Sequence, residues 1–429
     1  MKKRMNRRQF LGRAGALSGA AAGWSIARPA VASRVGPNDK VGLAVIGNGG
    51  MGSRHIEALW SNPNCELVAL CDVAKGRYHA NLDRVEEATG KRPIGYQDFR
   101  YVLDRPDIDA ILVATPDHWH PLLTILGCQA GKDVYVEKPA CTTIEEGRAM
   151  VDTARRYGRI VQLGTQQRNM EVFQRAMDVI HNGRIGEITG ATAWVSVNGW
   201  GVMDEQHVPV PNGLDWDLWL GPAPYVPFSM ERFGGFMGWW DYARGGQLTN
   251  WGVHLMDIVH WGIRQDQPLT VQAVGGNYRG NAGGINYETI EAIFEYEGHT
   301  VTWEQRHSNT HAGKGYGIAF NGTNGALFVD RGTFKVRHSD PSIEEFVGEP
   351  EKSWAHPPHH NDFFNSIRTR SKPAADIEQG FRSTAPVLLA GIALRVRRKL
   401  VWDSAREQFA NDDEANRYLK RTYRHPWHL

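Results

Sequence analysis

Cysteine is scarce in this chain: four residues in 429, at positions 65, 71, 128 and 141, with no Cys-x-x-Cys pair. That is too few for a disulfide scaffold, and the spacing fits no common zinc or redox motif. All four are expected to pack as thiols in a disulfide-free protein, the competing expectation being oxidised pairs. An excess of one charge is also missing, since 49 Lys and Arg face 47 Asp and Glu for a net +2. Seven of those basic residues and no acid fall in the first 32 positions, so the remainder carries 42 against 47, a balance of −5. A mildly acidic body argues against a nucleic-acid footprint and against anionic membrane surfaces, leaving small molecules as the default partners. Beyond the N-terminal segment no run approaches the ~20 consecutive apolar residues of a membrane span. Internal repeats and low-complexity linkers are absent too. What is present, 41% hydrophobic and 22% charged residues, is globular in proportion. At ~150 residues per typical domain, the length predicts two domains.

Met1 to Phe10 is basic, Leu11 to Ala27 is small and apolar, and Ala30-Val31-Ala32 offers a cleavage site. This layout predicts a signal peptide over residues 1–32. Within it, Asn6-Arg7-Arg8-Gln9-Phe10-Leu11-Gly12 resembles the twin-arginine (Tat) export signal of bacteria. The resemblance implies a periplasmic or otherwise exported protein, with the Tat translocase as partner during export and no membrane contact after cleavage. It also implies folding, with any cofactor loaded, in the cytoplasm. The rival reading is a basic arm or a retained anchor.

Val41 to Ile46 is a β-branched apolar run, followed at once by Gly47-Asn48-Gly49-Gly50-Met51-Gly52 and a helical pattern. Strand, G-x-G-x-x-G, helix is the order that dinucleotide binding needs: a tight turn, a close backbone approach to pyrophosphate, and close helix–strand packing. A second strand, Glu66 to Cys71, ends at Asp72, where a carboxylate can accept hydrogen bonds from ribose hydroxyls. Asp72 would repel a 2′-phosphate, so NAD is expected over NADP; a compensating arginine would reverse that, and Arg77, close in sequence, is read instead as a solvated helix charge. Strands at 110–114, 134–136 and 160–163 alternate with helical patterns at 119–131 and 144–157. That alternation predicts a doubly wound parallel sheet, an α/β Rossmann domain over 38–163 that joins a second domain directly near Gly164.

Thr115-Pro116-Asp117-His118-Trp119-His120 and Glu137-Lys138-Pro139 follow two of these strands at their carboxyl ends, where open α/β sheets bind ligands. Glycine fingerprint, Ala-Thr-Pro-x-x-x-His and Glu-Lys-Pro in this order resemble the Gfo/Idh/MocA oxidoreductases. The resemblance covers nearly all of the chain after the N-terminal segment. It implies an α+β second domain, 164–429, with a large open, mostly antiparallel sheet that makes a homo-oligomer interface. It implies sugar or cyclitol substrates and a catalytic Lys138 before a cis Pro139. The cofactor set implied is Gly47, Asn48, Gly49, Gly50, Met51, Gly52, Asp72, Thr115, Pro116, His120, Glu137, Lys138 and Gln166. Independently, a lysine at a strand end beside a nicotinamide can hydrogen-bond a reacting oxygen.

The family's second catalytic element is an Asp-x-x-x-His helix, and Asn250-Trp251-Gly252-Val253-His254 matches it with Asn in place of Asp. An amide orients a hydroxyl but holds no charge. His254 is the expected general acid/base, because imidazole titrates near neutrality. Positions 250, 254, 257 and 261 share one helical face, which is expected to meet the nicotinamide. Asp257 is expected near the substrate, as the charge that Asn250 lacks or as a polar partner, and His260 is read as a core histidine. Eight of fifteen tryptophans lie between Trp194 and Trp261, a density suited to sugar C–H faces, with Trp219 the one expected at the pocket. Arg168, Gln167 and Arg244 are expected at cofactor amide or sugar hydroxyls. His356-Pro-Pro-His359-His360 fits no zinc pattern, so no metal is expected and a helix-start or substrate-rim role is read there. Alternating segments between Thr270 and Phe346 predict meander strands, and 380–400 a helix with a basic end.

The function this implies is hydride transfer between a secondary alcohol of a sugar, glycoside or cyclitol and a tightly held NAD. The alternatives are a glycosidase or lyase working through transient oxidation at C3, and a non-catalytic sensor that binds NAD or sugar.

Overall fold

Six parallel strands, β1 (Val41–Ile46), β2 (Cys65–Cys71), β3 (Ile94–Tyr96), β4 (Ala110–Val113), β5 (Asp133–Val136) and β6 (Val161–Leu163), form one sheet in the order β3-β2-β1-β4-β5-β6. The chain is seen here as a computed structural model that describes residues 39–197, 204–278, 286–307, 313–338, 343–347 and 357–429. The expected signal peptide, Trp200 and His356 lie outside the described residues. Every residue of β1 is buried, as a central parallel strand covered on both faces requires. The covering helices are α1 (Gly50–Leu59), α2 (Lys75–Thr89), α3 (His120–Gln129) and α4 (Ile144–Arg156). Strand order reverses between β1 and β4, which opens a crevice at their carboxyl ends.

Helix α5 (Glu171–His181) leads into a second, ten-stranded sheet. Its strands are β7 (Ile188–Val197), β8 (Thr270–Gly276), β9 (Thr289–Tyr296), β10 (His299–His307), β11 (Tyr316–Gly322), β12 (Gly325–Val329), β13 (Thr333–His338), β14 (Ile343–Val347), β15 (Leu400–Asp403) and β16 (Gln408–Phe409). They lie in the order β14-β13-β12-β11-β7-β10-β9-β8-β15-β16. All pairings are antiparallel except β7 with β10. Along β9, Ile290, Ala292, Phe294 and Tyr296 are buried while Glu291 and Ile293 are exposed, so one face is covered and the other open. The covered face meets α6 (Gly252–Ile263) and α8 (Ile377–Val396).

A single apolar cluster runs from Ile111 and Val113 of the first sheet to Phe294 and Trp303 of the second. Helix α7 (Pro357–Thr369) comes from the C-terminal half yet sends Phe363, Phe364 and Ile367 into the cluster around Leu43, Leu70 and Tyr135 of the first sheet. Two helices differ from expectation. The helix expected over 380–400 begins at Ile377 and stops at Arg397, whose φ is +56°, so Leu400 starts β15. The stretch through Asn250 is broken: Gln247–Asn250 is a separate turn, and α6 starts at Gly252. No helix among the described residues is long and apolar enough to cross a membrane.

Candidate active site

The glycines after β1 have distinct geometric duties. Gly47 sits at φ +91°, and a Cβ there would stand 2.5 Å from the carbonyl oxygen of Ala114. A Cβ on Gly52 would lie 1.8 Å from the Gly47 carbonyl oxygen, so α1 packs directly on the turn. Gly50 has open space instead, and a Cβ on Gly49 would meet only the Arg77 guanidinium, at 3.5 Å. Helix α1 has no side-chain cap and no acid in its first turn, which leaves its first N–H groups and its positive dipole end for an anion. Gly47, Gly49, Gly50 and Met51 line a cleft of about 440 Å³, within the range of cofactor pockets.

Asn48 does not line that cleft. Its backbone N–H donates to Asp72 at 2.7 Å and its amide to the Val45 carbonyl, so it holds the loop against β2. Asp72 lines the cleft and also accepts from the Ala74 N–H at 2.8 Å. Burial pushes its carboxyl above the usual aspartate range, against the pull of the Ala74 and Asn48 N–H groups and of Arg77. Arg77 is not the solvated charge expected: it lines the cleft, with its guanidinium 4.3 Å from the centre of the Phe233 ring.

The other end of the cleft is built after β4 and β5. Thr115, Pro116, Asp117, His120, Glu137 and Lys138 line it, and Asn250 and Trp219 reach it from the second half. Lys138 Nζ donates to Asn250 Oδ1 at 2.6 Å, across 112 residues of sequence, and Asn250 donates in turn to Gln247 at 3.0 Å. The Lys138–Pro139 bond is cis. His120 is pinned between the carbonyls of Pro139 (2.7 Å) and Thr115 (2.9 Å), and burial lowers its pKa. Glu137 is buried, with Oε1 3.0 Å from His55 Nε2, while His55 Nδ1 lies 2.9 Å from His360 Nε2. Burial raises the Glu137 carboxyl, but His55 and Lys138 outweigh that and leave it below the ordinary value. Trp219 stacks on Trp216 at 4.5 Å within a satellite aromatic cluster.

Asp117 lies within the Thr115–His120 motif and lines the cleft, although it is not among the residues expected at the site. Burial lifts its carboxyl to about 7, against the opposing charge of Lys138. Phe233, Phe236 and Met237, which carry no motif, also line the cleft.

Several expected residues stand elsewhere. Of positions 250, 254, 257 and 261 only Asn250 lines the cleft; His254 is buried one turn on, edge-on to the Trp251 ring. Asp257 is fully buried and binds Arg168 Nε at 2.8 Å and the Ser383 hydroxyl at 2.6 Å. Arg168, stacked on Trp261, is thereby held out of the cleft. Arg244 donates to the Tyr418 carbonyl and lies over Trp240, also outside it. Gln166 and Gln167 are buried in the turn after β6. His260 bonds the Tyr296 hydroxyl at 2.7 Å. His359 and His360 open α7: His359 bonds Asn169 at 2.5 Å and the Leu163 carbonyl at 2.9 Å. Among the described residues no three His, Cys, Asp or Glu are grouped to hold a metal. All four cysteines are buried and unpaired, and burial pushes their thiols up.

Comparison with known proteins agrees with this construction. A family model described as an oxidoreductase NAD-binding Rossmann fold matches residues 41–165, and its companion C-terminal alpha/beta domain matches residues 178–429. Among curated proteins, the chain is 27% identical over 223 residues to a glycosyl hydrolase family 109 protein of Shewanella sp. (strain ANA-3), covering 47% of this chain and 49% of that protein. It is 26% identical over 223 residues to an alpha-N-acetylgalactosaminidase of Shewanella oneidensis, with the same shares of each chain. The chain thus spans about half the length of the curated relatives it matches. Solved structures of similar fold include myo-inositol 2-dehydrogenase from Lactobacillus plantarum (20% identity, TM-score 0.65, 84% of this chain and 99% of that one). Another is the WlbA dehydrogenase from Bordetella pertussis in complex with NADH and UDP-GlcNAcA (21%, TM-score 0.63, 85% and 99%).

Proposed function

The chain belongs to the Gfo/Idh/MocA oxidoreductase family, and on that premise we propose that it moves a hydride between a secondary alcohol of a sugar, glycoside or cyclitol and NAD. The observation that carries this reading is the single cleft that has the open glycine cradle and Asp72 at one end and Lys138, bonded to Asn250, at the other. The residues present fit NAD: the α1 N-terminus takes the pyrophosphate, Asp72 the adenosine ribose, and its charge disfavours a 2′-phosphate. NAD, when bound, supplies the hydride acceptor. Lys138 hydrogen-bonds the reacting oxygen and favours negative charge on it, Asn250 fixes the lysine, and the hydroxyl proton is relayed to His254, which is buried one turn beyond Asn250 and does not itself line the cleft. Trp219 offers an indole face to the ring.

The cofactor is held tightly. Residues 213–215 pair with 73–75 beside the ribose end, through Lys75 N–H to Gly213 O at 2.9 Å and Asp215 N–H to Val73 O at 3.0 Å. Phe233 and Phe236 follow over the cleft. Retention suits a protein carried out of the cytoplasm by the Tat route, as the Arg7-Arg8 segment suggests, because free nicotinamide is scarce outside. The open face of the second sheet, with Val274, Ile293 and Val401 exposed, is the surface for self-association.

Names of the curated relatives favour a second reading, glycosidic cleavage through transient oxidation of the sugar. The deciding experiment follows absorbance at 340 nm with NAD and a panel of glycosides, aldoses and inositols, alongside release of aglycone from nitrophenyl glycosides, α-N-acetylgalactosaminide included. NADH that accumulates establishes dehydrogenation. Aglycone release without it moves the cleavage reading to first place.

A further inference from the structure

Lys138 is a cation in a half-buried cleft whose hydrogen-bond partner, Asn250, is neutral. A charge in that setting needs a counter-charge. Two carboxyls stand beside it. Glu137 is committed backwards, with Oε1 on His55. Asp117 begins the short turn Asp117–Trp119, is 5% exposed, and lines the cleft with Lys138. Among the described residues no side chain hydrogen-bonds its carboxyl, which its own backbone N–H stabilises while Lys138 acts on it through charge alone. Its backbone is fixed from both sides: the Trp119 N–H bonds the Pro116 carbonyl, and the His118 carbonyl accepts from Arg421 at 2.9 Å. The acid is therefore held in place by the loop and the C-terminal tail without being used by either.

We propose that Asp117 is a functional residue of this site, the carboxylate that balances the charge of Lys138 where the aspartate usual at position 250 is missing. It acts through Lys138 and is a positioning residue. When ionised, it lets Lys138 keep a proton for the reacting oxygen without leaving an uncompensated cation beside the nicotinamide. When protonated, it leaves Lys138 with Glu137, already bonded to His55, as its neighbouring carboxylate. Burial lifts the Asp117 carboxyl to about 7, against the opposing pull of Lys138, so the exchange falls in the neutral range. The charged groups that act on it are Lys138 and Glu137, both after β5; His118 shares its turn and His120 follows it, and Arg421 of the tail bonds the His118 carbonyl.

The proposal rests on the hydride-transfer reading, and the test separates the two. Infrared difference titration of the NAD-loaded protein reads the C=O stretch of a protonated carboxyl without any turnover. A band that disappears as pH rises through about 7, and that is missing in Asp117→Asn, is expected. No such band in the wild-type protein overturns the proposal, whatever Asp117→Asn does. With a substrate found by the absorbance panel, Asp117→Asn is expected to lose about 10²-fold in kcat and to lose the decline in rate below neutrality. Asp117→Asn combined with Asn250→Asp is expected to regain at least tenfold. An unchanged pH profile in Asp117→Asn, or a double variant no better than the single, overturns the proposal. A titrating band in a protein that reduces no NAD would count against the hydride-transfer reading alone.

Discussion

Single residues divide into those that face the cleft and those that hold it. Lys138 faces it, so Lys138→Met is expected to lower hydride transfer by about 10² to 10⁴-fold, the usual span for a lost proton-donating group. Quenching of tryptophan fluorescence by NAD should persist in that variant, because the glycine cradle and Asp72 are untouched. Arg168 belongs to the second class. Asp257 is fully buried and Arg168 nearly so, and removal of one partner of such a pair costs about 3–5 kcal/mol. Arg168→Ala should therefore depress Tm by several degrees; an unchanged Tm with a raised KM would instead place the arginine at the substrate. The sequence offered both residues as site candidates and had no means to separate them. A strand-end lysine inside a motif has its position set by its neighbours in the chain. An arginine at a domain seam is decided by which acid packs opposite, here one 89 positions away.

At the level of elements, α4 shows how a local signal takes on a distant duty. Thr143 caps it, with Glu146 in the reciprocal capping box. The same Glu146 also accepts from Arg421 at 2.7 Å and Tyr423 at 2.8 Å, tying the C-terminal tail to the helix start. Burial raises this carboxyl, but the charge of Arg421 and the bonds from Thr142 and Tyr423 prevail, and its pKa lies below the ordinary 4.5. A lowered folded-state pKa means that stability is fully present above 4.5 and is lost as pH falls through the folded value. Urea midpoints should fall on acidification below 4.5, and less so in Glu146→Gln, which starts lower at neutral pH. The capping box is legible from Thr-x-x-Glu, whereas the tail that shares the glutamate is not. Likewise the 250–261 periodicity is real, but of its four positions Asn250 alone lines the cleft, which depends on what packs against the helix and not on its spacing.

Across the whole molecule, the cleft is lined by chain from both halves. The Arg77–Phe233 contact and the pairing of 213–215 with 73–75 cover one end. Phe233→Ala should speed NAD release and weaken its Kd about tenfold, near the 1.4 kcal/mol expected for loss of one aromatic contact. Protein purified without added NAD should carry cofactor as wild type and little of it as Phe233→Ala; equal occupancy would remove the cover from the account of tight binding. What the sequence determined by itself is the parallel sheet and its glycine turn, because a run of buried β-branched residues and a position with positive φ are properties of neighbouring residues. Alternation gave the meander strands for the same reason. What only the tertiary structure decided is who meets whom. His55 meets His360 across 305 positions, Lys138 meets Asn250 across 112, and Phe233 packs on Arg77 in the cleft that Gly49 and Gly50 line. Those contacts come from two sheets packed through one apolar cluster and a returning helix packed through another, and local pattern carries no information about the partner that packing brings.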